Sequence, residues 1–382
     1  MNKTIYFWSP HLTNVGTVRS TLNSATAFAK FSKEKYAVKI IDVFGEWEEH
    51  KEILEINNIE KINLTFDYKK LLPKYGFIPS RFSYAVIMLI SLFPLLLLLV
   101  KRKPDYFIVH LLTSLPLFLF RIFKFQSRII LRISGNPKLN LIRKLLWKSL
   151  KNTIFRVTCP TKELTSILID NKIFNTGKVF YLPDPVIDIK DYLSKKNLIP
   201  KSYRFDKLPF FLCVGRFTKQ KNYNYLINEY SKFKNNSNKF NLIIIGDGEE
   251  KKNIEKLIKK KNLQNHIYLT GYEDNFYFYM NKASAFILPS LWEELGLAIV
   301  QAAMSNTVII SSNCPHGPKE FLNYGQTGIL FDNNKKDSLY KSLILFKENE
   351  IELKKKRIIA KKKSLNYTKF RHHLVFCKIL DT

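Results

Sequence analysis

Short apolar runs alternate with longer stretches of helical spacing along the first half of the chain. Six runs have the length and polar flanks of buried strands, namely residues 3–8, 36–43, 61–66, 106–110, 127–133 and 178–182. After the first run, residues 18–31 place Leu22, Ala25 and Ala29 at helical spacing. Strands that alternate with helices predict βαβ units and a parallel sheet.

The same alternation starts again after a connection with several prolines, residues 183–209. The predicted strands there are residues 210–215, 241–246, 266–271, 285–289 and 308–311, and the predicted helices are 224–233, 249–261 and 297–305. The pattern therefore predicts an α/β protein of two doubly wound, Rossmann-like parallel-sheet domains that face a cleft, with ligands at the carboxyl ends of the strands. We expect a first domain at 1–200, a second at 201–360, and a C-terminal helix at 361–382 that packs back on the first.

One apolar segment is long enough to cross a membrane. Residues 82–100 carry no charge and lie between Arg81 and the basic cluster Lys101, Arg102 and Lys103. This length and these flanks permit a transmembrane span. A helix buried in the core, or lying in the plane of the membrane interface, fits the same residues.

A second segment, residues 138–156, has the pattern of a basic amphipathic helix. Its basic positions lie mostly off one apolar stripe, and the segment also contains Trp147. The stripe consists of Leu139, Ile142, Leu145, Leu146, Leu150 and Ile154. This suits an anionic membrane surface, although an ordinary helix that covers a sheet has the same pattern. The lysine runs at 251–261 and 354–363 are interpreted as solvated helix faces, because no motif that recognises nucleic acid accompanies them.

Composition narrows the class of protein. Apolar residues make up 46% and charged residues 25% of the 382 positions, which excludes a disordered chain. The 62 Lys and Arg against 32 Asp and Glu give a net charge of +30, which favours polyanionic partners.

The four cysteines form no C-x-x-C pair, so a zinc site or disulfide framework is not expected, and a reducing compartment fits. The apolar run near the N-terminus is too short for a signal peptide, so we expect no export.

Candidate chemistry first appears at the start of the second domain. A predicted strand ends at Gly215, and the loop that follows presents Arg216 and Lys221. Two cations fixed at the carboxyl end of a strand can hold a diphosphate without a metal ion, although alone they could be ordinary surface charges.

A later strand, turn and helix carry a second candidate group. Glu293 precedes a predicted helix that starts near Gly296 and Leu297, and Gln301 lies one to two turns further on. The helix N-terminus offers amide groups suited to phosphate, and the carboxylate could accept hydrogen bonds from sugar hydroxyls. A third segment, residues 314–320, follows the next strand, and Glu320 within it could simply start a helix.

Taken together, these segments resemble the retaining GT-B glycosyltransferases of group one. The resemblance covers residues 210–332 through the spaced motifs G-R-x-x-x-x-K-N, G-D-G-x-E, L-x-G-Y-x-D-N, P-S-x-W-E, G-P-K-E and G-I-L-F. The first half matches loosely, through Gly16 in the first loop among other positions. The segment C-P-x-G-P-K-E looks like that of transferases that build bacterial surface polysaccharides.

The resemblance implies a role for each matching position. Arg216 and Lys221, after Gly215, look like the pair that holds the diphosphate and stabilises the leaving group, so no metal and no cofactor are expected. Glu293 is similar to the first carboxylate of an E-x7-E motif and would contact the donor sugar. The remaining donor contacts that the family implies are Gly271 and Tyr272 near the base, the amides of Gly296 and Leu297 and the first-domain Gly16 at the phosphates, and Gln301 at the ribose.

The sequence departs from the family pattern in three places. Gln301 stands where the second carboxylate is usual, and Glu294 stands where a glycine is usual. The family often has a histidine near the acceptor, at the end of a strand of the first domain. That histidine is absent here, because the segment R-I-S, which begins at Arg132, stands in its place. The nearest alternative is His110, which ends an earlier predicted strand. These departures leave weakened turnover, or a protein that only binds a nucleotide sugar, as open alternatives.

The expected function is retaining transfer of a sugar, a UDP-linked hexose or N-acetylhexosamine, to a lipid-linked or polysaccharide acceptor of bacterial surface glycans such as O-antigen or capsule. The alternatives are a binding-only relative and a nucleotide-sugar epimerase, with a nucleic-acid binder disfavoured. Gly16 can reach the second domain only if both lie on one side of a membrane, so an in-plane or buried helix at 82–100 is preferred. We therefore expect a cytoplasmic protein, peripheral on the anionic inner face of the cell membrane, with no nucleic-acid partner.

Overall fold

The computed structural model describes residues 2–13, 15–73, 77–135, 137, 139–201, 203–204, 209–236 and 239–382. The chain forms two compact units: unit 1 consists of Met1–Pro185 and Lys369–Thr382, and unit 2 of Val186–Thr368. The chain thus changes unit at Pro185 and Thr368, whereas the sequence pattern placed these boundaries near 200 and 360. The amides of Val186 and Ile187 both donate to the carbonyl of Tyr367, at 2.8 and 3.0 Å, which joins the two ends of unit 2.

Unit 1 is an α/β layer structure around a parallel sheet. Its strands are β1 (Lys3–Trp8), β2 (Tyr36–Asp42), β3 (Glu60–Asn63), β4 (Tyr106–Val109), β5 (Arg128–Arg132), β6 (Arg156–Cys159) and β7 (Val179–Tyr181). Its helices before the chain passes into unit 2 are α1 (Gly16–Phe31), α2 (Lys51–Ile56), α3 (Phe77–Arg102), α4 (Ser114–Ile122), α5 (Leu141–Ser149) and α6 (Lys162–Asp170). Within the described residues the sheet order is β3-β2-β1-β4-β5-β6-β7, all parallel.

Unit 2 repeats this plan. Its strands are β8 (Phe210–Val214), β9 (Asn241–Ile245), β10 (Ile267–Gly271), β11 (Ala285–Leu288), β12 (Val308–Ser312) and β13 (Ile329–Phe331). The helices that follow α6 along the chain are α7 (Ile189–Lys195), α8 (Tyr223–Asn236), α9 (Lys251–Lys260), α10 (Phe276–Lys282), α11 (Leu297–Met304), α12 (Gly317–Phe321), α13 (Ser338–Glu348), α14 (Glu350–Ser364) and α15 (Lys369–Asp381). The described strands form a parallel sheet in the order β10-β9-β8-β11-β12-β13.

The predicted pattern of two parallel-sheet α/β units is confirmed, although several elements, most of them short, were missed. Strand β6 begins inside the stretch assigned to one amphipathic helix, strand β13 is only three residues long, and helix α7 lies in the stretch assigned to a linker. Short elements are difficult to find by periodicity because they span less than two helical turns or two alternations.

Helix α15 returns to unit 1 and packs against α1. Phe376 and Ile379 are buried in the same apolar core as Phe28 of α1. His372 also contacts α1, because its Nε2 lies 2.8 Å from the Ser24 hydroxyl while its Nδ1 lies 2.7 Å from the Pro183 carbonyl oxygen.

Helix α3 contains the apolar segment 82–100 and has two different faces. One face, repeating every four residues, is buried against the sheet and consists of Ser83, Ile87, Ser91, Leu95 and Leu99. By length and composition, Ile78–Arg102 is the one described helix that could cross a membrane. Only 28% of its most apolar 18-residue stretch is buried inside the protein. The opposite face is apolar and exposed.

The predicted helix at 138–156 is wrong in its extent. Helix α5 spans Leu141–Ser149, and its Trp147 is buried against Phe174, as the alternative of a helix that covers a sheet allows. Leu150 and Ile154, assigned to the same stripe, lie in the core, whereas Ile142 is exposed. The stripe therefore divides between core and surface because the chain leaves the helix to form β6; Lys138 lies outside the described residues.

Candidate active site

The loop after β8 is shaped by two glycines of the neighbouring strand end. A Cβ added at Gly246 would lie 1.9 Å from the Gly215 carbonyl oxygen, and one at Gly248 would lie 2.5 Å from the Phe217 carbonyl oxygen. The Phe217 amide also donates to the Asp247 carbonyl at 2.8 Å. Both glycines have positive φ, so the G-D-G turn can pack directly against the loop that carries the predicted diphosphate-binding cations.

Lys221 lies along the backbone of Gly215. A Cβ at that glycine would be 3.1 Å from Lys221 Cε and 3.2 Å from the Tyr223 hydroxyl, and this hydroxyl donates to the Gly215 carbonyl at 2.8 Å. Asn222 adopts the left-handed conformation immediately after Lys221, which ends the short helical turn there. The absence of a side chain at 215 therefore leaves room for the lysine to extend toward Glu293.

Glu293 is the centre of the cluster. Its Oε1 pairs with Lys221 Nζ and accepts a hydrogen bond from the Ser290 hydroxyl at 2.6 Å. The carboxylate is buried, with a side-chain exposure of 9%, and its Oε2 has no hydrogen-bond partner within the part of the chain that the structure describes. The protein thus holds one carboxylate oxygen, while the other has no donor among the described residues.

A buried polar network holds the Ser290 backbone. The carbonyl of Ser290 accepts bonds from the Ser312 hydroxyl at 2.6 Å and from Asn333 Nδ2 at 2.8 Å. Ser290 and Ser312 are fully buried. Because the donors come from the ends of two further strands, the orientation of the Ser290 hydroxyl, and with it of Glu293, depends on several elements at once.

Gln220 joins the two loops that carry Lys221 and Glu293. Its side-chain Nε2 donates to the Trp292 carbonyl at 2.7 Å, and its backbone carbonyl accepts from the Leu291 amide at 2.8 Å. These bonds lie next to the Lys221–Glu293 ion pair in sequence on both loops. Gln220, Ser290 and Gly246 were not predicted as site residues, although Ser290 and Gly246 are motif positions in P-S-x-W-E and G-D-G-x-E.

Helix α11 starts beside this cluster. Gly296 is the N-cap residue and has the left-handed conformation, with φ of +74°. The amides of Leu297 and Ala298 belong to the first turn, where a helix supplies no internal acceptors. The first turn contains no acidic residue, so its partial positive charge is open to an anion.

The segment G-P-K-E packs on the turn before α11. The Gly317 amide donates to the Glu294 carbonyl at 2.8 Å, and a Cβ at Gly317 would lie 2.2 Å from that oxygen. Glu320 lies within α12, which agrees with its interpretation as part of a helix start. This segment therefore supports the loop, with the glycine needed for the close approach of two backbones.

The remaining predicted site residues take different positions. Gly271 ends β10 beside the G-D-G turn, because its carbonyl accepts from the Gly246 amide at 2.9 Å, and Tyr272 after it is 76% exposed. Gln301 is buried on α11, and Arg216 is exposed with no side-chain partner among the described residues. Gly16, in unit 1, is the exposed first residue of α1. Their predicted ligand contacts stay predictions.

Two thiols near the ion pair are unsuited to nucleophilic chemistry. Burial raises the pKa of Cys213 to about 12 and that of Cys314 to about 11, so both stay neutral thiols near pH 7. No three side chains of His, Cys, Asp or Glu come together as a metal site anywhere in the described ranges. The cluster that the geometry offers is thus cationic and carboxylate in character.

In unit 1, Arg132 and His110 are both buried at strand ends. Arg132 donates to the Leu182 carbonyl at 2.8 Å and to Asp184 Oδ1 at 2.5 Å, so the arginine in the place of the family's histidine has a structural partner. Burial, followed by the charge of Arg132, holds the pKa of His110 well below its usual value. This histidine is neutral near pH 7, and both its ring nitrogens are unpaired within the described chain.

Comparison with known proteins finds a family match in the second half of the chain. Residues 194–364 match the model of the glycosyl transferases group 1. An uncharacterized glycosyltransferase of Methanocaldococcus jannaschii is 29% identical over 329 residues, covering 81% of this chain and 76% of that protein. The N-acetylgalactosamine-N,N'-diacetylbacillosaminyl-diphospho-undecaprenol 4-alpha-N-acetylgalactosaminyltransferase of Campylobacter jejuni is 28% identical over 141 residues, 37% of this chain and 38% of that protein.

A solved structure extends the likeness to the whole chain. The Anabaena protein HepE in complex with UDP superimposes with a TM-score of 0.74 at 13% identity, covering 100% of both chains. At this identity the likeness concerns the fold, which is the GT-B fold of two parallel-sheet units. The second half of the chain, residues 194–364, is therefore similar to the group 1 glycosyl transferases, and the relatives that match the chain include transferases of bacterial cell-surface glycan synthesis.

Proposed function

We propose that this protein transfers a sugar from a nucleoside-diphosphate donor to a lipid-linked glycan acceptor, with retention of the anomeric configuration. The observation that carries the proposal is the Lys221–Glu293–Ser290 cluster, in which Glu293 keeps one oxygen open beside a lysine and a helix N-terminus. A carboxylate acceptor suits sugar hydroxyls, and neighbouring positive charge suits a diphosphate.

Departure of the diphosphate would be assisted by fixed positive charge. As the glycosidic bond to the sugar breaks, negative charge develops on the leaving diphosphate. Arg216, Lys221 and the first amides of α11 would stabilise that charge, while Glu293 holds a sugar hydroxyl. These groups need no metal ion or cofactor to act, so activity that persists in excess EDTA is expected, and its loss on chelation would contradict this part of the proposal.

The nature of both substrates is supported by relatives. The solved HepE structure contains UDP, and the name of the Campylobacter jejuni relative specifies a diphospho-undecaprenol acceptor and an N-acetylgalactosaminyl group. We therefore infer a UDP-linked hexose or N-acetylhexosamine as donor and a polyprenyl-diphosphate glycan as acceptor. Such an acceptor implies work at the cytoplasmic face of the cell membrane, with the protein bound peripherally.

The decisive experiment supplies purified protein with a panel of nucleotide sugars and a short-chain polyprenyl-diphosphate glycan. Sugar transfer to the lipid, with the new linkage showing the anomeric configuration of the donor by NMR, is the expected result. Inverted configuration would contradict the retaining mechanism. Epimerised donor without any need for acceptor would identify the epimerase alternative instead.

A binding-only protein is the second candidate, and it is favoured by one observation. Gln301 replaces the second carboxylate of the family motif, and the side chain is buried in α11 where solvent cannot replace a lost donor contact. Donor binding without turnover in the presence of every acceptor tested would establish this candidate. Turnover at rates comparable to ordinary transferases would exclude it.

A further inference from the structure

The outward face of helices α3 and α4 in unit 1 is a large apolar surface. On α3, Phe82, Leu89, Phe93 and Val100 are exposed and fall within a narrow strip, because spacings of seven and four residues return to one side of a helix. This strip lies opposite the buried series that begins at Ser83. The exposed fractions of Leu89 and Phe93 are 76% and 64%, so these side chains contribute little to the core.

Helix α4 contacts α3 and has exposed apolar side chains of its own. Its first residue contacts α3, since the Ser114 hydroxyl lies 3.6 Å from Met88 Sδ. Phe118 and Ile122 are exposed one turn apart, and Phe123 follows them at the end of the helix. We name the set Phe82, Leu89, Phe93, Val100, Phe118 and Ile122 the α3–α4 face.

The part of the chain that forms this face carries charges almost all of one sign. From Lys69 through Lys162, both included, the chain has 18 Lys or Arg residues and one acidic residue, Asp105. Helices α3, α4 and α5 contain no acidic residue, and α3 ends in Lys101 and Arg102. An apolar strip bordered by basic side chains complements an anionic bilayer, since the apolar groups enter the acyl boundary and the cations stay with the headgroups.

The packing of α3 opposes a transmembrane orientation. Ile87, Leu95 and Leu99 lie in the main core of unit 1 together with Phe107 of the sheet. A helix that crossed the bilayer would have to separate from this core and expose it. We propose that the α3–α4 face is a monotopic membrane-binding surface, on which α3 lies in the plane of an anionic bilayer without crossing it.

This proposal deepens the proposed function, because it names the surface through which the protein meets the membrane that carries its acceptor. The vesicle-binding test requires no sugar transfer, so the membrane-binding proposal and the proposed function can fail separately. Sedimentation with vesicles of phosphatidylcholine containing about one third phosphatidylglycerol measures binding, and pure phosphatidylcholine vesicles measure the role of charge.

The variant Leu89→Gln/Phe93→Gln removes two outward side chains while keeping good helix-forming residues. We expect its affinity for the anionic vesicles to fall by about tenfold or more, as expected for loss of two apolar groups from an interface. The matched control is Ile351→Gln/Ile358→Gln on α14 of unit 2, where two exposed isoleucines (76% and 49%) lie one heptad apart. The control variant should bind vesicles as the wild type does.

Folding of both variants is checked by circular dichroism and by binding of UDP, which involves neither surface. Equal vesicle affinity of the Leu89→Gln/Phe93→Gln variant and the wild type would overturn the proposal. A wild-type protein that only detergent extracts, with the residues before α3 protected from protease in sealed vesicles, would show a span and also overturn it. The proposal would also be overturned if the wild-type protein were a dimer that does not bind vesicles and if the Leu89→Gln/Phe93→Gln variant were a monomer.

Discussion

At the scale of single residues, the site is organised by the pairing of Lys221 with Glu293. Each neutralises the charge of the other before any ligand binds, and the two side chains are 18% and 9% exposed. A partly buried pair of this kind leaves a costly unpaired charge when one partner is removed. Substitutions at the two positions should therefore be strongly coupled.

Lys221→Ala should lower kcat/KM about tenfold to 150-fold, the equivalent of about 1.5–3 kcal/mol for a charged hydrogen bond. Glu293→Gln should lower kcat, because the amide offers the sugar one acceptor fewer. The double variant should lose less than the product of the single losses, with a coupling of about 0.5–3 kcal/mol. Steady-state kinetics of the four proteins measure the cycle, and strictly multiplicative losses would show that the ion pair has no part in catalysis.

Gln220 provides a prediction about positioning rather than charge. Gln220→Met keeps the size of the side chain but removes the donor to the Trp292 carbonyl, so the loop before Glu293 should become less ordered. We expect kcat to fall about three- to tenfold while UDP affinity changes less than twofold, since small displacements of a catalytic group reduce the rate without reducing binding. Gln264→Met, at an exposed glutamine, is the matched control. A parallel loss of UDP affinity would indicate a general structural role.

Gln301 tests whether the departure from the family motif weakens donor binding. A carboxylate accepts two hydrogen bonds from ribose hydroxyls where the amide offers one carbonyl oxygen. Gln301→Glu should then lower the donor KM by up to about tenfold with kcat little changed, as expected for uniform binding. Without donor, the buried carboxylate should lower the melting temperature. A higher KM in the variant would mean that the site has been rebuilt around the amide.

At the scale of elements, α15 is held on unit 1 by a polar contact as well as by apolar packing. His372 is buried between the Ser24 hydroxyl and the Pro183 carbonyl, and burial lowers its pKa to about 3. The neutral ring therefore donates from Nδ1 to Pro183 and accepts at Nε2 from Ser24. This arrangement joins α15 to α1 and to the segment that leaves β7.

His372→Leu should destabilise the protein by about 1–3 kcal/mol, because it leaves the Ser24 hydroxyl and the Pro183 carbonyl buried without these partners. Leu374→Ala, at a partly exposed position of the same helix, is the control and should cost less. Denaturant unfolding measures both, and hydrogen exchange of α15 amides should quicken in the first variant only. Equal stability of His372→Leu and wild type would show that apolar packing alone holds the helix.

At the scale of the whole molecule, buried histidines link stability to pH. His11, His110 and His372 of unit 1 are neutral in the folded state, and burial lowers the pKa of His11 to about 4. The unfolded chain binds protons at these residues from about pH 6.5 downward. Glu46 acts in the opposite direction, because burial raises its pKa well above the usual value and the folded state holds that proton more tightly.

Stability should therefore fall as the pH decreases from about 6.5, because the unfolded state binds more protons there. For His11 alone the loss amounts to about 3 kcal/mol by pH 4. His11→Asn can still donate to the Ser9 carbonyl, which His11 Nδ1 contacts at 3.0 Å, but it does not titrate. Denaturant unfolding across this pH range should show a shallower slope for the variant, and an unchanged slope would contradict the assignment.

Much of this organisation was predictable from the chain. Parallel strands buried on both faces are continuous apolar runs, so the main strands were located to within a residue or two, β1 and β8 among them. The loop containing Arg216 and Lys221 and the turn before α11 were also found, because glycine, charge and helix start occur there at fixed spacing. The short strands β6 and β13 were missed because a few residues carry no reliable period.

What the sequence determined by itself is the local pattern: which runs form strands, where the charged loops lie, and which segments are apolar enough to meet a membrane. Only the tertiary structure decided how these parts are used. Gln220 holds the site through a bond to Trp292, 72 positions further along the chain, and Ser290 through a bond to Glu293, three positions further. Spacing alone does not reveal such partners. Likewise, the 82–100 segment is apolar on every side, so only its packing against the sheet could show that one face is core and the other is open. Periodicity reports the chemistry of each position, whereas contacts between distant segments depend on the fold that brings them together.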